Sequence, residues 1–268
     1  MSIFTTEDGN KLNYAMHGNG NAPMLMLHGL SQSTLTFTGM LETLLPGRTL
    51  YLCDLPGHGD SYRPASYRAE TMINDVAELL RDVINKPAIV YGHSLGSLIA
   101  SGVAACEPEL VSKLILSDPP LIVWDEPRWK KSIISSYFGW ARKTLNAGLS
   151  VEQIVPMLQV AFPHRSKDVL KDQAIALSQM DAGIIDATLD AEIATRDDIM
   201  ALFEKIRCPT LLLQADPRIL AAASDEDILA IQARIKNTQH LKFAGADHDL
   251  HLWKQQKILE AVLGFIKL

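Results

Sequence analysis

Short runs dominated by apolar residues alternate along the chain with longer stretches in which apolar positions recur every three or four residues. Met24–Leu27, Thr49–Cys53, Ala88–Tyr91, Lys113–Ser117, Thr210–Gln214 and His240–Phe243 are of the first kind. They are too short for stable helices and run into Gly, Asp or His within two residues, which predicts strands, that over Met24–Leu27 buried. Residues 70–84 are of the second kind: Met72, Ile73, Val76, Leu79, Leu80, Val83 and Ile84 fall on one face of a helix. Helices are also predicted over Phe37–Leu45, closed by Pro46-Gly47, and over the small-residue run Ser97–Cys106. Ser224-x-x-Asp227 reads as a capping box opening a helix through Ile235. Ile258, Leu259, Val262, Leu263 and Ile266 line a last helix, and residues 3–17 read as a hairpin turning at Asp8-Gly9. Strand and helix alternate, so the expected fold class is α/β, a doubly wound and mostly parallel sheet.

Residues 121–205 interrupt the alternation. They carry helical patterns and start signals such as Ser150-x-x-Gln153 and Thr195-x-x-Asp198, with no convincing strand and no internal repeat. Trp124, Trp129 and Trp140, three of the four tryptophans, lie there. The expected organisation is a core formed by residues 1–120 and 206–268, with 121–205 as a helical cap, or lid, over the active edge of the sheet.

Composition narrows the partners. The 268 residues are 47% hydrophobic and 21% charged, enough for a sizeable core. A net charge of −6 and a pI near 5.7 argue against nucleic acid or an anionic membrane as the main partner. No apolar run reaches the length of a membrane span, and the first residues show no basic-then-apolar leader. Cys53, Cys106 and Cys208 are odd in number and far apart, which predicts reduced thiols and a cytoplasmic location. C-x-x-C, H-E-x-x-H and G-x-x-x-x-G-K-[ST] are absent, so no metal or other cofactor is expected, and the partner is a small-molecule substrate.

Chemistry-bearing residues cluster just beyond the predicted strands: His28, Asp54, Ser94, Asp118, Asp216 and His248. In open parallel sheets this is where ligands bind. Gly92-His93-Ser94-Leu95-Gly96 stands between an apolar strand and a helix, the context in which G-x-S-x-G is a nucleophile elbow. A sharp turn there would lift the hydroxyl of Ser94 clear of the sheet, and the glycines would leave room for the turn.

With His28-Gly29, the stretch Asp54-Leu-Pro-Gly-His-Gly-Asp-Ser61, the elbow, Asp216 and Gly245-Ala-Asp-His248, the chain resembles the α/β-hydrolase family over nearly its whole length, most of all its capped serine esterases. The order Ser, Asp, His also fits. The resemblance implies a triad of Ser94 as nucleophile, His248 as base and Asp216 as the orienting acid, with Asp118 as the alternative acid one strand earlier. It implies an oxyanion hole from the backbone N–H groups of Leu30 and Leu95. His251 is a rival to His248 better suited to supporting the loop, while Asp247 and Asp249 sit too close in sequence to face its Nδ1. Trp124, Phe138 and Trp140 are candidate substrate-binding residues, with Trp129, Tyr137, Met157 and Phe162 as further apolar lining. The implied activity is hydrolysis of a carboxylic ester or lactone with an apolar or bulky group through an acyl-enzyme. C–C or amide cleavage by the same triad, an oxygenase- or haloperoxidase-type side activity, and a slow-turnover ligand receptor are the alternatives. Dehalogenase and epoxide-hydrolase chemistry would need an aspartate at position 94.

Overall fold

The computed structural model describes residues 1–252 and 255–267. Eight strands form one sheet: β1 (Ser2–Thr5), β2 (Lys11–His17), β3 (Ala22–Leu27), β4 (Arg48–Cys53), β5 (Ala88–His93), β6 (Val111–Ser117), β7 (Thr210–Gln214) and β8 (Thr238–Lys242). Their order is β1-β2-β4-β3-β5-β6-β7-β8. β1–β2 and β2–β4 are antiparallel and every later pair is parallel, so the hairpin edges an otherwise parallel sheet. The hairpin turns through Gly9, whose φ of 83° suits glycine.

Alternation along the strands sorts side chains to two faces. Leu25, Leu27, Val90, Leu114, Leu116 and Leu212 join one apolar cluster. Their neighbours Met24, Met26, Ile89, Tyr91, Ile115, Leu211 and Leu213 join the other. Both faces are covered, which explains why these strands read as continuous apolar runs. On the second face lie Phe37 and Met40, in a 3₁₀ segment (Thr34–Met40) that leads into α1 (Leu41–Leu44), together with the last helix. On the first face lie α2 (Ala69–Leu79) and α3 (Leu95–Cys106). The 70–84 helix is regular only as far as Leu79. It then widens into a π-type turn, with the Asn85 N–H donating to the carbonyl of Leu80 at 2.8 Å.

Between β6 and β7 the described chain holds helices joined by short loops, and no strand. A 3₁₀ turn at Leu121–Trp124 precedes α4 (Glu126–Lys131), α5 (Ile133–Asn146), α6 (Val151–Ala161), α7 (Lys167–Ser178), α8 (Ala182–Leu189) and α9 (Arg196–Lys205). The capping boxes at Ser150 and Thr195 both form, because each side-chain acceptor three residues on closes back onto the cap N–H. Pro156 sits inside α6. Apolar residues of this insertion, among them Phe138, Leu158, Leu177 and Ile185, belong to the same cluster as the first sheet face. The insertion is thus continuous with the core rather than a separate body. Arg128 and Arg196 also reach across it to buried Asp227, at 2.9 and 3.3 Å. α10 (Asp225–Gln232), opened by the Ser224 capping box and ending three residues earlier than its pattern predicts, and α11 (Gln255–Lys267) complete the chain. Among the described residues, no helix is long and apolar enough to cross a membrane.

Candidate active site

Ser94 follows β5 directly and carries φ 50° and ψ −119°, a backbone conformation unusual for any residue with a side chain. Two glycines permit it. A Cβ on Gly92 would lie 2.2 Å from the carbonyl oxygen of Gly96, and one on Gly96 would lie 2.3 Å from that of Leu27. Neither clash can be relieved by rotating a side chain, since the opposing atoms are backbone. The Ser94 N–H donates to the carbonyl of Ser117 at 3.0 Å, tying the elbow to the end of β6, and α3 begins at the next residue. The N-terminal end of α3 therefore lies beside the serine hydroxyl, where its dipole favours negative charge.

His248 brings the site together. Its Nε2 is 2.9 Å from Ser94 Oγ, and its Nδ1 is 2.7 Å from Oδ2 of Asp118. These partners assign Nδ1–H as the donor to the carboxylate and leave Nε2 free to accept from the serine hydroxyl. Burial pulls the imidazole pKa down. The hydrogen bond and charge of Asp118, helped by Asp249 and Asp247, outweigh it, so the net shift is upward.

The carboxylate on His248 is thus Asp118 and not Asp216, the position favoured by the sequence. Asp118, fully buried, stands one residue past β6 with φ 47°, which turns its side chain inward. Its oxygens also accept from the N–H groups of Ala215 and Ala222, at 3.3 and 2.8 Å. Asp216 is committed elsewhere. Arg218, two residues on, grips it through Nε at 3.0 Å and Nη2 at 2.7 Å, and the Gly245 N–H donates to it at 2.8 Å. These bonds hold the Asp216 carboxyl well below the usual range, with Arg218 the main cause. Its role is to fasten the β7 loop to the loop that carries His248.

The other histidines support the loops. His28 donates from Nδ1 to the carbonyl of Gly29 at 2.8 Å and accepts at Nε2 from the Leu55 N–H at 3.0 Å. His93 packs against both His248 and His251, with ring centres 4.8 and 4.6 Å apart, and its Nε2 lies 3.0 Å from the carbonyl of His248. Burial pushes His93 well below the ordinary imidazole value, and pushes His251 to about 4. His251 bonds neither Ser94 nor a carboxylate among the described residues. Asp54 accepts from the Thr34 N–H at 2.8 Å and from Asn13 Nδ2 at 2.7 Å, closing the loop after β4.

The sequence reading missed one cluster. Arg165, in the turn between α6 and α7, is buried and reaches Asp247 and Asp249 through Nη2 at 3.1 and 2.8 Å. It brackets His248 on both sides from the insertion. Gln32 completes the cluster by donating to Asp249 at 2.8 Å. Nothing in Pro163-His164-Arg165-Ser166 signals a partner 82 residues away; only proximity in the fold reveals it.

Two compartments meet at His248. A narrow one of about 40 Å³ is walled by Ser94, Leu95, Leu98, Ile122, Trp124 and Ile193, among others. A wide one of about 790 Å³ is walled by His93, Tyr137, Trp140, Phe162, Asp247 and Asp249, among others. Leu30 and Phe138 line both. The candidate aromatics are therefore split: Trp124 and Trp129 face the narrow compartment, Trp140, Tyr137 and Phe162 the wide one. Trp124 is fixed by donating from its indole N–H to the carbonyl of Ala194 at 2.9 Å. No group of His, Cys, Asp and Glu suited to a metal ion occurs among the described residues.

A family model described as the α/β-hydrolase fold matches residues 22–255. The chain belongs to the α/β-hydrolase family. It is 25% identical over 260 residues to 2-(acetamidomethylene)succinate hydrolase of Mesorhizobium japonicum, covering 92% of this chain and 89% of that protein. It is also 25% identical over 252 residues to a pimeloyl-[acyl-carrier protein] methyl ester esterase of Xylella fastidiosa, covering 92% and 96%. The crystal structure of E-2-(acetamidomethylene)succinate hydrolase superposes with a TM-score of 0.81 at 20% identity, over 100% of this chain and 98% of that one, a likeness of fold.

Proposed function

We propose that this α/β-hydrolase is a serine hydrolase that cleaves a small-molecule carboxylic ester through an acyl-enzyme. The observation that carries the reading is the continuous hydrogen-bonded line from Ser94 Oγ through His248 to Asp118. A serine hydroxyl needs a base within reach, and Nε2 at 2.9 Å is within reach. As Ser94 Oγ attacks the ester carbonyl, His248 takes its proton, and Asp118 fixes the tautomer and steadies the imidazolium. The charge that develops on the carbonyl oxygen meets the N–H groups of Leu30 and Leu95. Neither is donated to another group among the described residues, and the N-terminus of α3 adds its dipole. His248 then hands its proton to the departing alcohol. Water, activated by the same imidazole, releases the acid. The helices over 121–205 act as the cap that walls both compartments, with Trp124, Phe138 and Trp140 in contact with substrate.

A second reading keeps the triad and replaces the ester by an amide. It is favoured by the similarity to 2-(acetamidomethylene)succinate hydrolase, whose named substrate contains an acetamide. A doubly anionic substrate fits poorly here, because no lysine or arginine lines either compartment among the described residues and Arg165 is already held by two carboxylates.

A fluorophosphonate should label the wild-type protein at Ser94. Ser94→Ala should abolish labelling and lower ester turnover by about 10⁴-fold or more with the fold intact. Labelling or turnover that survives the substitution would refute Ser94 as nucleophile.

A further inference from the structure

The two compartments differ about twenty-fold in volume, 40 against 790 Å³, and they flank the triad unequally. We infer that they divide the substrate by chemistry: the acyl group enters the narrow compartment and must be short, while the wide one takes a larger, neutral, apolar alcohol. This inference rests on the acyl-enzyme reading above and fixes the substrate class that reading leaves open.

Three observations converge. The first is proximity to the reacting atoms. Ser94, to which the acyl carbon becomes bonded, lines the narrow compartment with Leu95 and Leu98 from the next turn of its helix, and does not line the wide one. His248 borders both compartments, but its two neighbours, Asp247 and Asp249, wall only the wide one, so the rest of the histidine loop faces that side. The leaving oxygen must receive its proton from His248, so the alcohol belongs on the side of the histidine loop.

The second is the order of events. In the first half-reaction the bond from Ser94 Oγ to the acyl carbon forms and the bond from that carbon to the alcohol oxygen breaks, the alcohol taking the proton from His248. The alcohol must then depart while the acyl group is still attached, and a water must enter where it stood. The wide compartment provides that space. In the second half-reaction water oxygen bonds to the acyl carbon, the bond to Ser94 breaks, and the proton passes through His248 back to Oγ.

The third is size and polarity. One enclosed water needs roughly 10–15 Å³ of such volume, so the narrow compartment holds about three water-sized groups, the room of an acyl group of about two to four carbons. The wide compartment instead continues outward over bare apolar surface. Ile133, Met157, Val160 and Ile219 line it, and these are four of the nine exposed large apolar side chains among the described residues. Val160 is 84% exposed. Exposed apolar side chains gathered at one mouth mark a surface that receives an apolar ligand. The charges that are present, Asp247 and Asp249, repel an anionic alcohol portion.

Hexyl acetate and ethyl hexanoate test this directly. They are isomers of the same composition with the ester reversed, so bulk hydrophobicity cannot explain a difference. The expected result is a kcat/KM for hexyl acetate about 30-fold or more above that for ethyl hexanoate. Ile193→Ala, which widens the narrow compartment, should shrink that ratio by about 10-fold. Equal rates, or a preference for ethyl hexanoate, would overturn the assignment. If neither isomer turns over while a fluorophosphonate still labels Ser94, the assignment fails and the nucleophile reading stands. If labelling is also absent, both fail.

Discussion

Asp118 and Asp216 stand at the ends of neighbouring parallel strands, β6 and β7, and both are buried, yet only one touches His248. The loops around them explain the difference. At Asp118 a left-handed backbone step turns the carboxylate inward, and the chain then continues as Pro119-Pro120, which offers no cation. At Asp216 the chain continues as Pro217-Arg218, and the guanidinium claims both carboxylate oxygens. A carboxylate with a dedicated partner two residues away serves the loop. One that faces only backbone N–H groups and an imidazole is available to orient a base.

The sharpest way to break this comparison is to neutralise each acid in turn. Asp118→Asn should lower kcat/KM for an activated ester by about 10⁴-fold, because it removes the acceptor that sets the histidine tautomer. Asp216→Asn should cost less than about 10-fold, since it only loosens a loop. Steady-state kinetics on the two purified variants decides between them, and a larger loss in Asp216→Asn would reverse the assignment.

A second prediction concerns the opposite wall of the histidine loop. Arg165→Met keeps much of the side-chain volume but leaves Asp247 and Asp249 without their cation. The loss of one partner from a buried ionic cluster costs about 3–5 kcal/mol. Denaturant unfolding should show a drop of that order. Unfolding unchanged from wild type would mean that Arg165 does not hold the insertion to the histidine loop.

The smallest effect is a displaced pH profile. The proposed mechanism needs neutral His248, whose pKa is raised in the folded protein, so activity should rise with pH through a midpoint above about 6.5 and level off beyond it. In Asp118→Asn the pull of burial is less opposed, and the midpoint of the residual activity should move down. A wild-type midpoint below the ordinary imidazole value would contradict the environment described for His248.

Much of the frame is legible in the sequence, because burial on both faces forces the central strands to be apolar runs and their ends to carry the polar residues. The strand before Ser94 and the glycines around it dictate the elbow, and His248 follows the last strand at a turn. The choice between acids is not legible in the same way. It depends on a single backbone dihedral at residue 118 and on where the Arg218 side chain folds back, although Arg218 itself stands in plain view two residues from Asp216. The walls of the compartments are harder still. Trp124 and Trp140 read alike as apolar residues of a helical insertion, and only the crossing of its helices sends one to each compartment. Arg165 gives no local cue, since its partners lie 82 and 84 residues further on.

The most direct measurement is the proton resonance of the His248 ring N–H in protein carrying ¹⁵N-labelled histidine. A strongly hydrogen-bonded Nδ1–H should give a far-downfield signal in the wild type that persists in Asp216→Asn and disappears in Asp118→Asn. A signal that survives the loss of the Asp118 carboxylate, or vanishes with that of Asp216, would contradict the triad proposed for this hydrolase.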